Sequence, residues 1–190
     1  MELPELTEKV RSMADIQLLR PIEAIAELLR PAPVVHVGTT EAAPVCAGAY
    51  VLLVELVEPL CCVIGGKAAR FEVGCYIYSG SAYGPGGIRS RLGRHFRRDK
   101  KPHWHIDTLS SAASGIQAIA VEGGSECGII ARLLGSPAFH SALTGFGSSD
   151  CSVCASHLLN WHEPQLDSGL CGTGRTGMVG GAEKGKALHA

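Results

Sequence analysis

CYIYSGSAYGPGGIRSRLGRHFRR, residues Cys75 to Arg98, is the stretch on which the reading of this chain turns. Tyr76-Ile77-Tyr78 is aromatic and β-branched in the manner of a strand, and Ser79-Gly80-Ser81 with Gly84-Pro85-Gly86-Gly87 then breaks the strand into a tight turn. A helix is predicted from near Ile88, with Ile88, Leu92 and Phe96 as a narrow apolar stripe and Arg91, Arg94, His95 and Arg98 along its flank. Between Arg89 and Lys101 stand Arg89, Arg91, Arg94, Arg97, Arg98, Lys100 and Lys101, opposed only by Asp99. Strand, glycine turn and basic helix together read as a site that holds a phosphate chain.

That charge is local, because the 190 residues carry a net charge of only −1. Such unevenness points to a polyanionic partner. With 46% hydrophobic residues the chain can bury one good core, and one domain with tails is expected. No run of 18 apolar residues occurs, and MELPELTEK is acidic and polar where a secretory signal is basic and then apolar. A soluble cytoplasmic protein without membrane association is the expectation. Of the eight cysteines, Cys61, Cys62 and Cys75 lie in strand-like runs and read as core fillers.

In chain order, residues 1–46 read as a helical N-terminal extension and linker, with helical stretches at Leu6–Leu19 and Pro21–Leu29 followed by the proline-marked PAPVVHVGTTEAAP. Residues 47–161 carry strand signals at AYVLLVEL, LCCVI, ARFEV, CYIYSG and GIQAIAV, with Gly65-Gly66-Lys67 closing a hairpin. Besides the basic helix, HWHIDTLSSAAS predicts a second, and Ser125 caps a third that has Glu126 in its first turn. A last short strand is expected to end at Trp161, and residues 162–190 read as a flexible glycine-rich tail. The expected fold is a small α/β (α+β-like) domain, an antiparallel-leaning sheet flanked by three helices.

Cys151-Ser152-Val153-Cys154-Ala155-Ser156-His157 offers three zinc-type ligands, Cys151, Cys154 and His157. Tetrahedral closure needs a fourth, for which His162 and Cys171 are the candidates, and no second CxxC exists. Reduced structural thiols are the default expectation here, with zinc as the alternative.

Gly48-Ala49-Tyr50 on one strand, Tyr78-Ser79-Gly80 ending another, Arg91 and His95 four apart on a helix, and Glu126 opening a later helix together resemble the GIY-YIG nuclease superfamily. GAYVLLVEL, GCYIYSGSA, RLGRHFRRDKKPHWHID and GFGSSDC are similar to its Uri-type branch, which also occurs fused to endonuclease III-like DNA glycosylases. The resemblance covers residues 48–161. It differs from the usual pattern in the extra hairpin Cys61–Glu72 and in having Ser148, Ser149 or Asp150 where many active members place an asparagine.

The resemblance implies a divalent-metal-dependent endonuclease that hydrolyses phosphodiester bonds in DNA, in the setting of DNA repair or processing. Its catalytic set is Tyr50, Tyr78, Arg91, His95 and Glu126, with Glu126 holding one Mg²⁺ or Mn²⁺. His103 and His105 are secondary catalytic candidates, and Arg89, Arg94, Arg97, Arg98, Lys100 and Lys101 would bind nucleic acid, with DNA favoured over RNA. By resemblance Tyr50 activates or orients the water. An ordinary tyrosine costs about 4 kcal/mol to ionise at neutral pH, a cost that Arg91 and the metal would lower. The plainer reading makes Tyr50 and Tyr78 edge-of-core tyrosines, Glu126 a favourable first-turn acid and Trp104 a packing anchor. The alternative function is a non-cleaving nucleic-acid-binding module that uses the basic helix Ile88–Arg98.

Overall fold

The computed structural model describes residues 13–32 and 34–163. Residues 6–12 of the predicted helix Leu6–Leu19, the glycine-rich tail from residue 164 and Cys171 lie outside them. At the centre is β2 (Gly48–Leu56), buried at every one of its nine positions. An apolar strand without polar alternation has to be covered on both faces, and this one is. Tyr50, Leu52, Val54 and Leu56 point to one side and pack with Ile88 and Leu92 of α2 (Gly87–Phe96) and Ile106 and Leu109 of α3 (His105–Ala112). Ala49, Val51 and Leu53 point to the other, against Ile22, Ile25 and Leu29 in or just after α1 (Met13–Leu28) and Ile129, Ile130 and Leu133 of α4 (Glu126–Leu134).

The six-stranded sheet is antiparallel throughout, ordered β1 (Val34–Val37), β6 (Gly115–Glu122), β2, β5 (Gly74–Ser81), β8 (Leu158–Trp161), β7 (Phe139–Ser141). The α/β class is as expected from the sequence. β3 (Leu60–Ile64) and β4 (Lys67–Phe71) form a separate hairpin, turned by Gly65 and Gly66 at φ +56° and +79°. Leu60, Cys62, Ile64 and Ala69 of that hairpin lean on the α2/α3 face of the core.

Three readings change. From residue 13 on, the segment before residue 47 is part of the folded layers and not an extension: α1 belongs to the second core layer, and Val34–Val37, read as linker, is the edge strand beside β6. Pro21 does not start a helix but lies inside α1, so the burial of Ile22, Ile25 and Leu29 outweighs the local breaker. Cys61 is exposed on its hairpin and fills no core.

The turn into α2 also differs from its expected use. The N–H groups of Ile88 and Arg89 donate to the carbonyls of Cys46 (2.9 Å) and Pro44 (3.1 Å). A Cβ on Gly87, at φ +56°, would stand 2.2 Å from the Cys46 oxygen, so only glycine admits this close crossing. These amides serve the chain itself and are not a phosphate cradle.

Candidate active site

Tyr50, Tyr78, Arg91 and Glu126 come from β2, β5, α2 and α4 and line one cleft of about 550 Å³. His103, His105, Trp104, Ser149, Asp150 and His157 complete much of its wall. Its hub is Tyr78-Ser79-Gly80. Tyr78 presents its ring to the cleft, while the Ser79 hydroxyl donates to the Glu126 carbonyl (3.3 Å) and the Ser79 N–H to the His157 carbonyl (3.0 Å). Gly80 leaves room for Tyr50, since a Cβ there would lie 2.4 Å from the Tyr50 hydroxyl. The first turn of α4, and with it Glu126, is fixed by Ser125, whose side chain accepts from the Gly128 N–H.

His95 is fully buried beneath Tyr50, its Nε2 2.7 Å from the Tyr50 hydroxyl. On the other side of the ring, Nδ1 faces Oδ1 of buried Asp107 at 3.7 Å, and neither atom has another partner. A carboxylate only accepts, so the tautomer that suits both neighbours has the proton on Nδ1, toward Asp107, and Nε2 accepting from the tyrosine. Burial lowers the His95 pKa to about 4 despite the opposing pull of Asp107, which keeps the ring neutral. Burial alone would raise the Asp107 carboxyl, but the Trp104 N–H, the Arg94 guanidinium and the His103 N–H together hold its pKa below the usual value. Burial, with Tyr78 next, raises Tyr50 well above an ordinary phenol, whereas Arg91 pulls it down. Tyr78 is raised to about 12, by burial and then by Glu126, again against Arg91.

Arg91 and Arg94 sit over the Trp104 ring, 4.7 and 4.8 Å from its centroid, so Trp104 acts as the anchor that sets both guanidinium groups. Much of the basic segment is occupied with the chain itself. Arg89 donates to the carbonyls of Ala43 and Glu41, Arg98 to those of Ala113 and Ser114, Lys100 to those of His95 and Arg97, and Arg94 to Lys101 and Asp107. Arg97 and Lys101 are exposed beside these braces.

A family model described as a domain of unknown function, DUF123, matches residues 49–172. The chain belongs to this family. No curated protein and no solved structure matches it. The DUF123 match begins within β2 and takes in every residue of the cleft named above, while leaving out α1 and β1. None of the described helices is long and apolar enough to cross a membrane.

Two groups escaped the sequence reading. Asp107 looked like one more helical residue, and only the packing of α3 on α2 turns it toward His95 and Arg94. Cys127 follows Glu126 in the first turn of α4, and its Sγ lies with Cys151, Cys154 and His157 in a group whose four ligand atoms are within 4.8 Å of one another. His162, one of the two candidates for a fourth ligand, is instead 2.8 Å from the Asn160 side-chain amide.

Proposed function

We propose that this cleft hydrolyses phosphodiester bonds in nucleic acid, with DNA as the favoured substrate and one Mg²⁺ or Mn²⁺ held by Glu126. The observation that carries the reading is the convergence of Tyr50, Tyr78, Arg91 and Glu126 from four separate elements on one cleft, with a buried histidine and aspartate behind the first tyrosine. The motifs that resemble GIY-YIG nucleases are the segments that supply these four side chains.

Hard divalent cations accept one or two carboxylates and take their remaining ligands from water and substrate phosphate, and half-buried Glu126, in a polar cleft that also has Asp150 on its wall, fits that demand. When bound, the metal would act as a Lewis acid on the phosphoryl oxygens and the water. Arg91, pinned on Trp104, offers a planar fork for the scissile phosphate and charge to match the transition state. The Tyr50 hydroxyl, whose proton is directed at His95 Nε2, turns its oxygen to accept a hydrogen bond from the attacking water and aim it. The phenol thereby avoids standing as a free phenolate, which burial makes costly. Asp107 stands on the Nδ1 side of the neutral His95 ring. Tyr78, whose pKa is pushed up, stays protonated and donates a hydrogen bond to the phosphate or the nucleophile.

The test is Glu126→Gln assayed on single-stranded, duplex and branched DNA with Mg²⁺ or Mn²⁺, with binding measured in parallel. Turnover should vanish while most of the affinity stays. Equal cutting by both proteins would refute the role of Glu126. A native protein that binds with salt-sensitive affinity and never cuts would favour a binding module.

A further inference from the structure

The four-residue group beside the cleft has a chemistry of its own. We propose that Cys127, Cys151, Cys154 and His157 bind one structural Zn²⁺ ion, which staples the first turn of α4 to the loop leading into β8.

Three thiolates and an imidazole are a complete zinc donor set, and a tetrahedral site with four protein ligands has no open position for substrate. With Zn–S bonds of about 2.3 Å the ligand atoms of such a tetrahedron stand roughly 3.8 Å apart. Cys127 Sγ is 3.5 Å from Cys151 Sγ and 3.7 Å from His157 Nε2, and all four ligand atoms lie within 4.8 Å of one another. A disulfide would use two of the sulfurs and leave the third and the imidazole idle, whereas a zinc ion uses all four.

The surrounding backbone is shaped for a thiolate. Between Cys151 and Cys154 the chain folds back so that the N–H groups of Val153 (3.4 Å) and Cys154 (3.2 Å) both point at Cys151 Sγ. Such donors orient and stabilise a metal-bound sulfur. His157 is buried and held at both ends of its peptide, its N–H donating to the Phe146 carbonyl (2.9 Å) and its carbonyl accepting from Ser79 (3.0 Å).

The fold also has a use for the ion. Residues 144–157 contain no helix or strand; Phe146 anchors the start of the loop in the core, but further on Ser152, Val153 and Ala155 are exposed, so little apolar burial holds residues 149–155. That same loop brings Ser149 and Asp150 to the cleft. Closing it onto α4 through a metal supplies the missing restraint, with the three thiol protons released to solvent. On this assignment the zinc is structural and separate from the exchangeable ion at Glu126.

The deciding experiment is zinc analysis of the full chain purified under reducing conditions without chelator, followed by exchange with Co²⁺. About one zinc per chain is expected, together with the intense visible and thiolate charge-transfer bands of a tetrahedral S₃N cobalt site. Cys127→Ser and Cys154→Ser should each lose the metal. Cys61→Ser, on the exposed hairpin, and Glu126→Gln, which removes the cleft carboxylate, should keep it. The proposal falls if the reduced native chain, offered excess Zn²⁺, retains less than about a tenth of an equivalent, or if Co²⁺ gives only weak octahedral bands. It falls equally if Cys127→Ser holds as much zinc as the native chain. The measurements on the native chain stand whether or not the variants fold.

Discussion

At the residue scale, the decisive contact joins Tyr50 to a histidine that has been kept neutral. His95 has a pKa of about 4 in the folded chain, against an ordinary value of 6.5. Above pH 6.5 it is neutral in both states and takes nothing from stability. As pH falls from 6.5 toward 4 the unfolded chain takes up the proton first, so stability declines across that window. At pH 4.5 the loss amounts to about 2.5 kcal/mol, and urea unfolding at pH 7.5 and 4.5 should show it in the native chain and not in His95→Gln. A second prediction concerns Gly80, whose three nearest neighbours at the Cβ position all belong to the Tyr50 side chain. Gly80→Ala should displace that ring and lower cleavage far more than it lowers the unfolding midpoint, as paired single-turnover and denaturation measurements would reveal. Tyr50, Tyr78, Arg91 and Glu126 could be read from the sequence because each sits in a short motif on a predictable element. Asp107 and Cys127 could not, since what makes them matter is which residues lie opposite them, and no spacing along the chain encodes that.

At the element scale, α2 is less a free polycation than its sequence suggests. Arg89 and Arg98 spend their guanidinium groups on backbone carbonyls of residues 41–43 and 113–114, which ties the helix to the chain before β2 and to the end of α3. Arg89→Ala and Arg98→Ala should therefore act mainly on stability, each by about 1–3 kcal/mol, because they remove charge-assisted hydrogen bonds to carbonyls. Arg97→Ala and Lys101→Ala should leave stability nearly unchanged and each reduce the salt slope of DNA binding by about one. Binding titrations at several salt concentrations separate the two pairs. The missed elements have their own physical causes. β1 is four residues long among prolines, and β7 is three residues with two of them exposed, so neither carries a periodic signal. Pro21 marks a boundary locally, and the core overrides it.

At the scale of the whole molecule, a fully buried central strand divides two apolar layers, and the cleft opens where the ends of β2 and β5 meet α2, α4 and the loop before β8. The strand runs and the three helices of residues 47–161 were legible because burial on two faces, glycine turns and a good N-cap leave strong local marks. The contribution of α1 and β1 was not, because a strand at the sheet edge and an amphipathic helix look alike in a linker and in a core. What unites these layers is the claim that they exist to bring four side chains to one phosphodiester. The most direct test is single-turnover cleavage of a labelled DNA panel with Mg²⁺ or Mn²⁺, comparing the native protein with Tyr50→Phe at matched DNA occupancy. Metal-dependent cutting by the native chain and a rate at least about 100-fold lower for Tyr50→Phe is the predicted result. Cutting that is undiminished in Tyr50→Phe, or absent from the native chain on every substrate and metal, would contradict it.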